Sequence, residues 1–319
     1  MGFMDALYFI IPMTISYAAP LIFTAIGGVF SERSGVVNIG LEGLMVMGAF
    51  VGIVFNLFYV DQLGAWTPWI ALIVAMIVSA VFGILHAVAS ISFRADQVVS
   101  GVAINMLGIA IALFSVKMIF GKGQTDFIER SIPLFNVPIL QDIPVLGPML
   151  FKGIYGSSII AVLVAVAAWF IIYKTPFGLR LRSVGEHPMA ADTMGINVAK
   201  VRYIAVIISG GLAGIGGAVY AQTMTNDFGH ATINGQGFMA LAAMIFGKWH
   251  PIGAMGAALF FGFAQALAIS SSGISFMEKV PAVYLHILPY ALTILALAGF
   301  IGRANAPKAN GQPYIKGSR

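Results

Sequence analysis

The sequence contains no cysteine, which removes disulfide cross-links, thiol chemistry and thiolate metal sites from consideration. Charge is scarce as well: only 9% of the 319 residues are Asp, Glu, Lys or Arg, against ~25% in soluble domains. A soluble protein needs more charge than this to cover its surface. No phosphate-binding P-loop is present, because the Gly-Lys pairs at Gly121 and Gly247 are followed by Gly and Trp rather than Ser or Thr. HExxH, GxSxG and clustered His-carboxylate arrangements are missing too, so the chain is read as a non-enzyme that binds no cofactor or metal. A transmembrane β-barrel is excluded because its strands alternate apolar and polar residues over about ten positions, and this sequence does not.

What remains is apolar. Hydrophobic residues make up 59% of the chain, and runs of roughly 18 or more recur along it, the mark of membrane-spanning helices. The expectation is an all-α polytopic membrane protein with about nine transmembrane helices: 6–30, 36–58, 69–91, 98–120, 156–173, 203–223, 237–247, 252–271 and 281–301. Residues 237–247 are too few to cross a ~30 Å hydrocarbon core and are short or re-entrant. The N-terminus has neither a basic leader nor an A-x-A cleavage site, so 6–30 is read as a retained span. A net charge of +5 needs no nucleic-acid partner, since the basic residues cluster beside spans in a membrane-lipid setting.

The longest charged stretch between apolar runs is 174–202, with Lys174, Arg180, Arg182, Lys200 and Arg202. Short basic loops stay in the cytoplasm, which places this loop and the C-terminus inside and the N-terminus and 121–155 outside. Only Lys117, Lys122, Arg130, Lys152 and Lys279 then fall on the outer side. One transmembrane domain (1–301) results, with an external, proline-broken loop at 121–155 and a polar, mobile tail at 302–319. Gly210, Gly214, Gly217, Gly253 and Ala257 are small enough for helices to pack backbone to backbone.

Ionisable or amide side chains at membrane depth mark functional positions. Glu42 lies in GVVNIGLEG, and a helix through this stretch puts Asn38 and Glu42 on one face, with Glu42 about 13 Å deep. Gln97 and Asn105 line a stripe on the fourth span, and amides suit a polar uncharged solute. Asn234, Gln236 and Phe238 open the short span, whose Gly-rich start and Pro251 exit suit a discontinuous helix lining a cavity. For each of these residues a second reading stays open, that of interhelical hydrogen bonding. His86 and His286 are read as neutral, structural histidines, and Lys117 reaches the interface. Within the basic loop, Pro188 suits the first turn of a short surface helix and Gly195 its stop.

SERSGVVNIGLEGLMVMGAF, RADQVVSGVAINMLG, GLRLRSVGEHPMAADTMGINVAKVRY and GQGFMALAAMIFGKWHPIGAMGAALFFG together resemble the permease subunits of the ribose and branched-chain amino-acid group of ABC importers, most of all the nucleoside-uptake branch. That resemblance implies a permease of the ribose/vitamin B12-type architecture in a bacterial plasma membrane. It implies a second permease subunit as heterodimer partner, a cytoplasmic ABC ATPase that uses ATP and Mg, and an extracellular substrate-binding lipoprotein. It also implies that Glu186, Ala190, Ala191 and Gly195, an E-x3-AA-x3-G pattern, together with Arg182, Pro188 and Ile196, form the coupling contact with the ATPase. The commoner spacing is E-A-A-x3-G, so the position of Glu186 departs from the pattern. On this reading Asn38, Glu42, Gln97, Asn105, Asn234, Gln236 and Phe238 line the substrate path. The rival readings are an ion-coupled secondary transporter relying on Glu42 and a non-transporting membrane scaffold.

Overall fold

The computed structural model describes residues 3–270 and 306–317, with positions 284, 287 and 291 between them. The expected span 281–301, and His286 within it, lie outside the described residues. The elements are helices α1 (Phe3–Arg33), α2 (Leu41–Leu63), α3 (Thr67–Ala87), α4 (Gln97–Phe120), α5 (Leu146–Leu150), α6 (Gly156–Lys174), α7 (Pro176–Glu186), α8 (Pro188–Thr193), α9 (Val198–Tyr220), α10 (Gln236–Phe246) and α11 (Pro251–Ser270). Among the described residues, six continuous runs are long and apolar enough to cross a membrane, one of them the 52-residue Leu41–Ser92. That run folds back at a 3-10 turn, Gly64–Trp66, so that α2 and α3 pack side by side, tied by the Ser79 hydroxyl donating to the Leu44 carbonyl at 3.2 Å.

At the centre lies α9, packed on α1, α2 and α3. Its glycines make this possible. A Cβ placed on Gly48 of α2 would fall 2.1 Å from the Gly214 carbonyl oxygen, and one on Gly217 would fall 1.9 Å from that of Met45. The two backbones therefore cross in direct contact, as small-residue stripes allow in lipid, where tight packing must replace the hydrophobic drive between helices. On its other side α1 carries α11, α10 and α6. Outward faces of α3, α4 and α6 are apolar and exposed, with Ile77, Val81, Met106, Phe114, Leu163 and Phe170 among them. Such a surface is stable only against lipid.

Four features depart from the sequence expectations. The chain between α1 and α2, residues 34–40, is not helical, so Asn38 does not share a helix face with Glu42; Gly35, with φ +89, and Gly40 break the helix there. The basic loop holds two helices, α7 and α8, rather than one short helix flanked by basic arms: Thr175 caps α7 by accepting the Gly178 N–H at 3.3 Å, and Pro176 occupies its first turn. Segment 121–155 is ordered through a two-residue antiparallel pair, β1 (Leu134–Phe135) with β2 (Ile154–Tyr155), a small exception to an all-α fold. Finally, residues 306–317 of the tail are not a free end but lie on the α7–α8 end of the bundle, where the backbone N–H of Ala309 donates to the Gly185 carbonyl at 2.9 Å.

Candidate functional site

Main chain that leaves a helix inside a membrane must find partners in the protein. Residues 34–40 find them on three helices. The Gln97 side-chain oxygen on α4 accepts the Val37 N–H at 2.7 Å, and His86 Nε2 on α3 donates to the Val37 carbonyl at 2.9 Å. About two turns further along α4, Asn105 brackets the start of α2: its Nδ2 donates to the Ile39 carbonyl at 3.0 Å and its Oδ1 accepts the Gly43 N–H at 2.7 Å. Asn38 is fully buried and donates to the Ser209 hydroxyl on α9 at 2.9 Å. Donation from Nε2 to a carbonyl fixes the His86 tautomer, leaving Nδ1 to accept from Ser100, 2.9 Å away.

The second irregular element is α10. Eleven residues at about 1.5 Å each give it a length near 16 Å, half a membrane core. Its far end is anchored at the α7–α8 end of the bundle, where Trp249 donates to Glu32 and Arg33 Nε donates to the Trp249 carbonyl at 2.8 Å. Its N-terminus therefore stops at mid-depth, and there it meets Glu42. One carboxylate oxygen accepts the Gly235 N–H and the other the Gly237 N–H, both at 2.6 Å. A helix N-terminus carries unpaired N–H groups and a partial positive charge, so a carboxylate from a neighbouring helix is its natural complement.

Beside this junction Gln236 is buried, and its Oε1 accepts from Gln265 Nε2 on α11 at 3.2 Å; the same amide group contacts the Met239 sulfur at 3.0 Å. Asn234 and Phe238 project outward and are exposed. The structure thus gathers Glu42, Asn234, Gln236 and Phe238 at one level, while Asn38, Gln97 and Asn105 attend the unwound segment instead. Gln265 escaped the sequence reading although it interrupts an apolar run, GFAQALA, a signal that was there to be used.

At the bundle end, α8 closes on Gly195, whose φ of +81 lets its N–H reach the Asp192 carbonyl at 2.9 Å while the Ile196 N–H reaches Ala191 at 3.0 Å. Ala191 is buried and Ile196 packs on the core, whereas Met189, Ala190 and Gly195 face outward. Arg182 is half-buried, its guanidinium 5.0 Å from the centre of the Tyr173 ring. Glu186 accepts the Lys308 N–H at 3.4 Å. Arg202 is not part of the loop's exposed basic face: it is 1% exposed, with Nε donating to the Ser34 carbonyl at 3.2 Å and Nη1 to that of Gln312 at 3.0 Å.

A multi-span bundle with a half-length helix ending on a polar junction at mid-depth has the build of a membrane transport subunit. The chain belongs to the family described as branched-chain amino acid transport system permease component, which matches residues 10–297. It is 62% identical over its whole length to the guanosine ABC transporter permease protein NupQ of Bacillus subtilis (strain 168), itself covered completely. The nucleoside ABC transporter permease protein NupC of Lactococcus lactis subsp. cremoris (strain MG1363) is 47% identical over 99% of both chains. A more distant likeness, 26% over 93% of this chain and 85% of the relative, is to NupP, a guanosine ABC transporter permease protein of the same Bacillus.

Proposed function

We propose that this chain is a permease subunit of an ATP-driven importer of nucleosides. The observation that carries the reading is full-length likeness to a permease named for guanosine transport, at 62% identity. Its partners on this reading are a second, different permease subunit, a cytoplasmic ATPase that uses ATP and Mg, and an extracellular binding lipoprotein. The existence of two guanosine permeases in one Bacillus, NupQ and NupP, supports the pairing of unlike subunits. On this reading the chain crosses the bacterial plasma membrane about nine times in the ribose/vitamin B12-type architecture, with its C-terminus in the cytoplasm.

Substrate passes the exposed face of α10, with Asn234 and Phe238 turned toward the partner permease and Gln236 and Gln265 supplying amides behind them. Amides and an aromatic face suit a neutral riboside, whose base stacks and whose hydroxyls donate and accept. Asn38, Gln97 and Asn105 act one step back by holding the unwound chain in shape. Energy enters through α8, with Pro188, Ala190 and Gly195 at the contact, Arg182 and Glu186 beside it, and Ala191 and Ile196 seating the helix on the bundle. Proton coupling through Glu42 is the weaker reading, because both of its oxygens already hold backbone N–H groups.

Uptake of labelled guanosine by cells with and without the gene tests the function. Uptake is expected to fall on deletion, to stop when ATP is depleted and to survive an uncoupler. Uptake that instead collapses with the proton gradient at constant ATP overturns the reading in favour of secondary transport.

A further inference from the structure

Two charged side chains are buried at the α7–α8 end of the bundle, and residues of the tail reach both. Glu32, 4% exposed, accepts Trp249 Nε1–H at 2.6 Å and Asn310 Nδ2–H at 2.9 Å. Arg202 donates to the Gln312 carbonyl at 3.0 Å. A buried charge without such partners is strongly destabilising, so these contacts hold the tail in one place. The same short segment touches the end of α7 and the end of α8. On α7 the Ala309 N–H donates to the Gly185 carbonyl and the Lys308 N–H to Glu186. At the end of α8 Tyr314 stands beside Asp192, the two lining one cleft. Between these points Glu186, Pro188 and Ala190 face Lys308 and Gln312 across a cleft of about 420 Å³.

We propose that residues 306–317 are a strap that sets the position of α8 against the transmembrane helices and carries its displacement to them. Six residues of helix are far too few to be stable alone. Gly195 closes α8, and its inward anchors are small in number, Ala191 within the helix and Ile196 just beyond it. The strap adds a second attachment, and it leads somewhere: through Asn310 to Glu32, then through Trp249 to the loop that joins α10 to α11. That is the end of the half-helix whose other end rests on Glu42. Movement imposed on the α7–α8 pair thus has a route to α10, through the strap and Glu32, that does not pass through α9. The coupling part of this inference rests on the ATP-driven reading above, whereas the positioning of α8 does not.

The test has two arms. In the purified full-length permease, amide hydrogen exchange across 188–196 is compared with Asn310→Ala, Tyr314→Phe and a chain ending at residue 305; exchange is expected to rise about tenfold, the loss of one or two hydrogen bonds to a marginal helix. In vesicles holding the complete importer, nucleosides imported per ATP hydrolysed are expected to fall roughly fivefold or more in the same variants, at equal permease abundance. Unchanged exchange overturns the strap. Increased exchange with an unchanged ratio of import to hydrolysis overturns its role in transmission and leaves a purely stabilising tail. A wild-type importer whose uptake consumes no ATP overturns the importer reading instead, and the exchange arm still decides whether α8 is strapped.

Discussion

Glu42 on α2 accepts the backbone N–H of Gly237 on α10 at 2.6 Å, which makes a side chain of one helix the N-terminal cap of another. The Gly235 N–H binds its second oxygen at the same distance. Replacing the carboxylate by an amide, Glu42→Gln, turns an N–H group toward one of these two donors. That leaves a buried donor unpaired, which costs about 1–3 kcal/mol. Thermal unfolding of the detergent-purified variant should show this loss, and nucleoside uptake should fall with it; Glu42→Ala, which leaves both donors unpaired, should be worse in each assay.

The crossing of α2 and α9 leaves no room at Gly48. A methyl group there would sit 2.1 Å from the Gly214 carbonyl oxygen, so Gly48→Ala must push two backbones apart, at about 1–3 kcal/mol or more. Gly256 on α11 has nothing within 4 Å of the same added carbon. Gly48→Ala should therefore give little folded protein in the membrane fraction while Gly256→Ala expresses like wild type.

Strain rather than crowding controls Gly195. Nothing lies within 4 Å of an added Cβ, but a φ of +81 is unfavourable for any L side chain by about 1–2 kcal/mol. Gly195→Ala should loosen the end of α8 without disturbing the bundle. The expected result is reduced ATP-dependent uptake at normal membrane abundance and a nearly unchanged unfolding temperature.

His250, in the turn between α10 and α11, has its pKa lowered from 6.5 by burial and then by the positive charge of Arg33. The neutral ring is favoured in the folded protein, so below pH 6.5 the unfolded chain binds the proton more readily than the native one. Stability present above that value is lost as pH falls through it. Unfolding temperatures measured from pH 7.5 down to 5 should drop in the wild type, and His250→Gln should remove part of the slope.

Much of this fold is legible from apolar runs, since α3, α4, α6, α9, α10 and α11 begin and end within a few residues of the stretches that hydropathy picks out. Hydropathy is blind to what happens between Arg33 and Leu41, because VVNIG is as apolar as a helix. Gly35 and Gly40 mark the break locally, but the residues that serve it, Gln97, Asn105 and His86, sit up to 66 positions away. For the same reason the sequence suggests a pathway role for Gln97 and Asn105, which the structure turns toward main chain. The docked tail was hidden because its composition is that of a solvated end; its anchors, Glu32 and Arg202, are ordinary membrane-flanking charges until their burial is seen. The start of the half-helix at Gln236 is legible, since Gly-rich chain before a short apolar run leaves few other arrangements.

The unwound segment 34–40 also says something about the order of assembly. Its first three N–H groups turn back to Ser31 and Glu32 of α1, but its other partners emerge from the ribosome later: His86, Gln97 and Asn105 come 49 to 66 positions on, and the Arg202 that holds the Ser34 carbonyl comes 168 on. Until those helices enter the bilayer the Val37 N–H and the Val37 and Ile39 carbonyls have only water, lipid headgroups or a transient helix to turn to. The native shape of this stretch is therefore a product of late packing rather than of insertion, and the bundle's first helix pair is among the last parts of it to be completed.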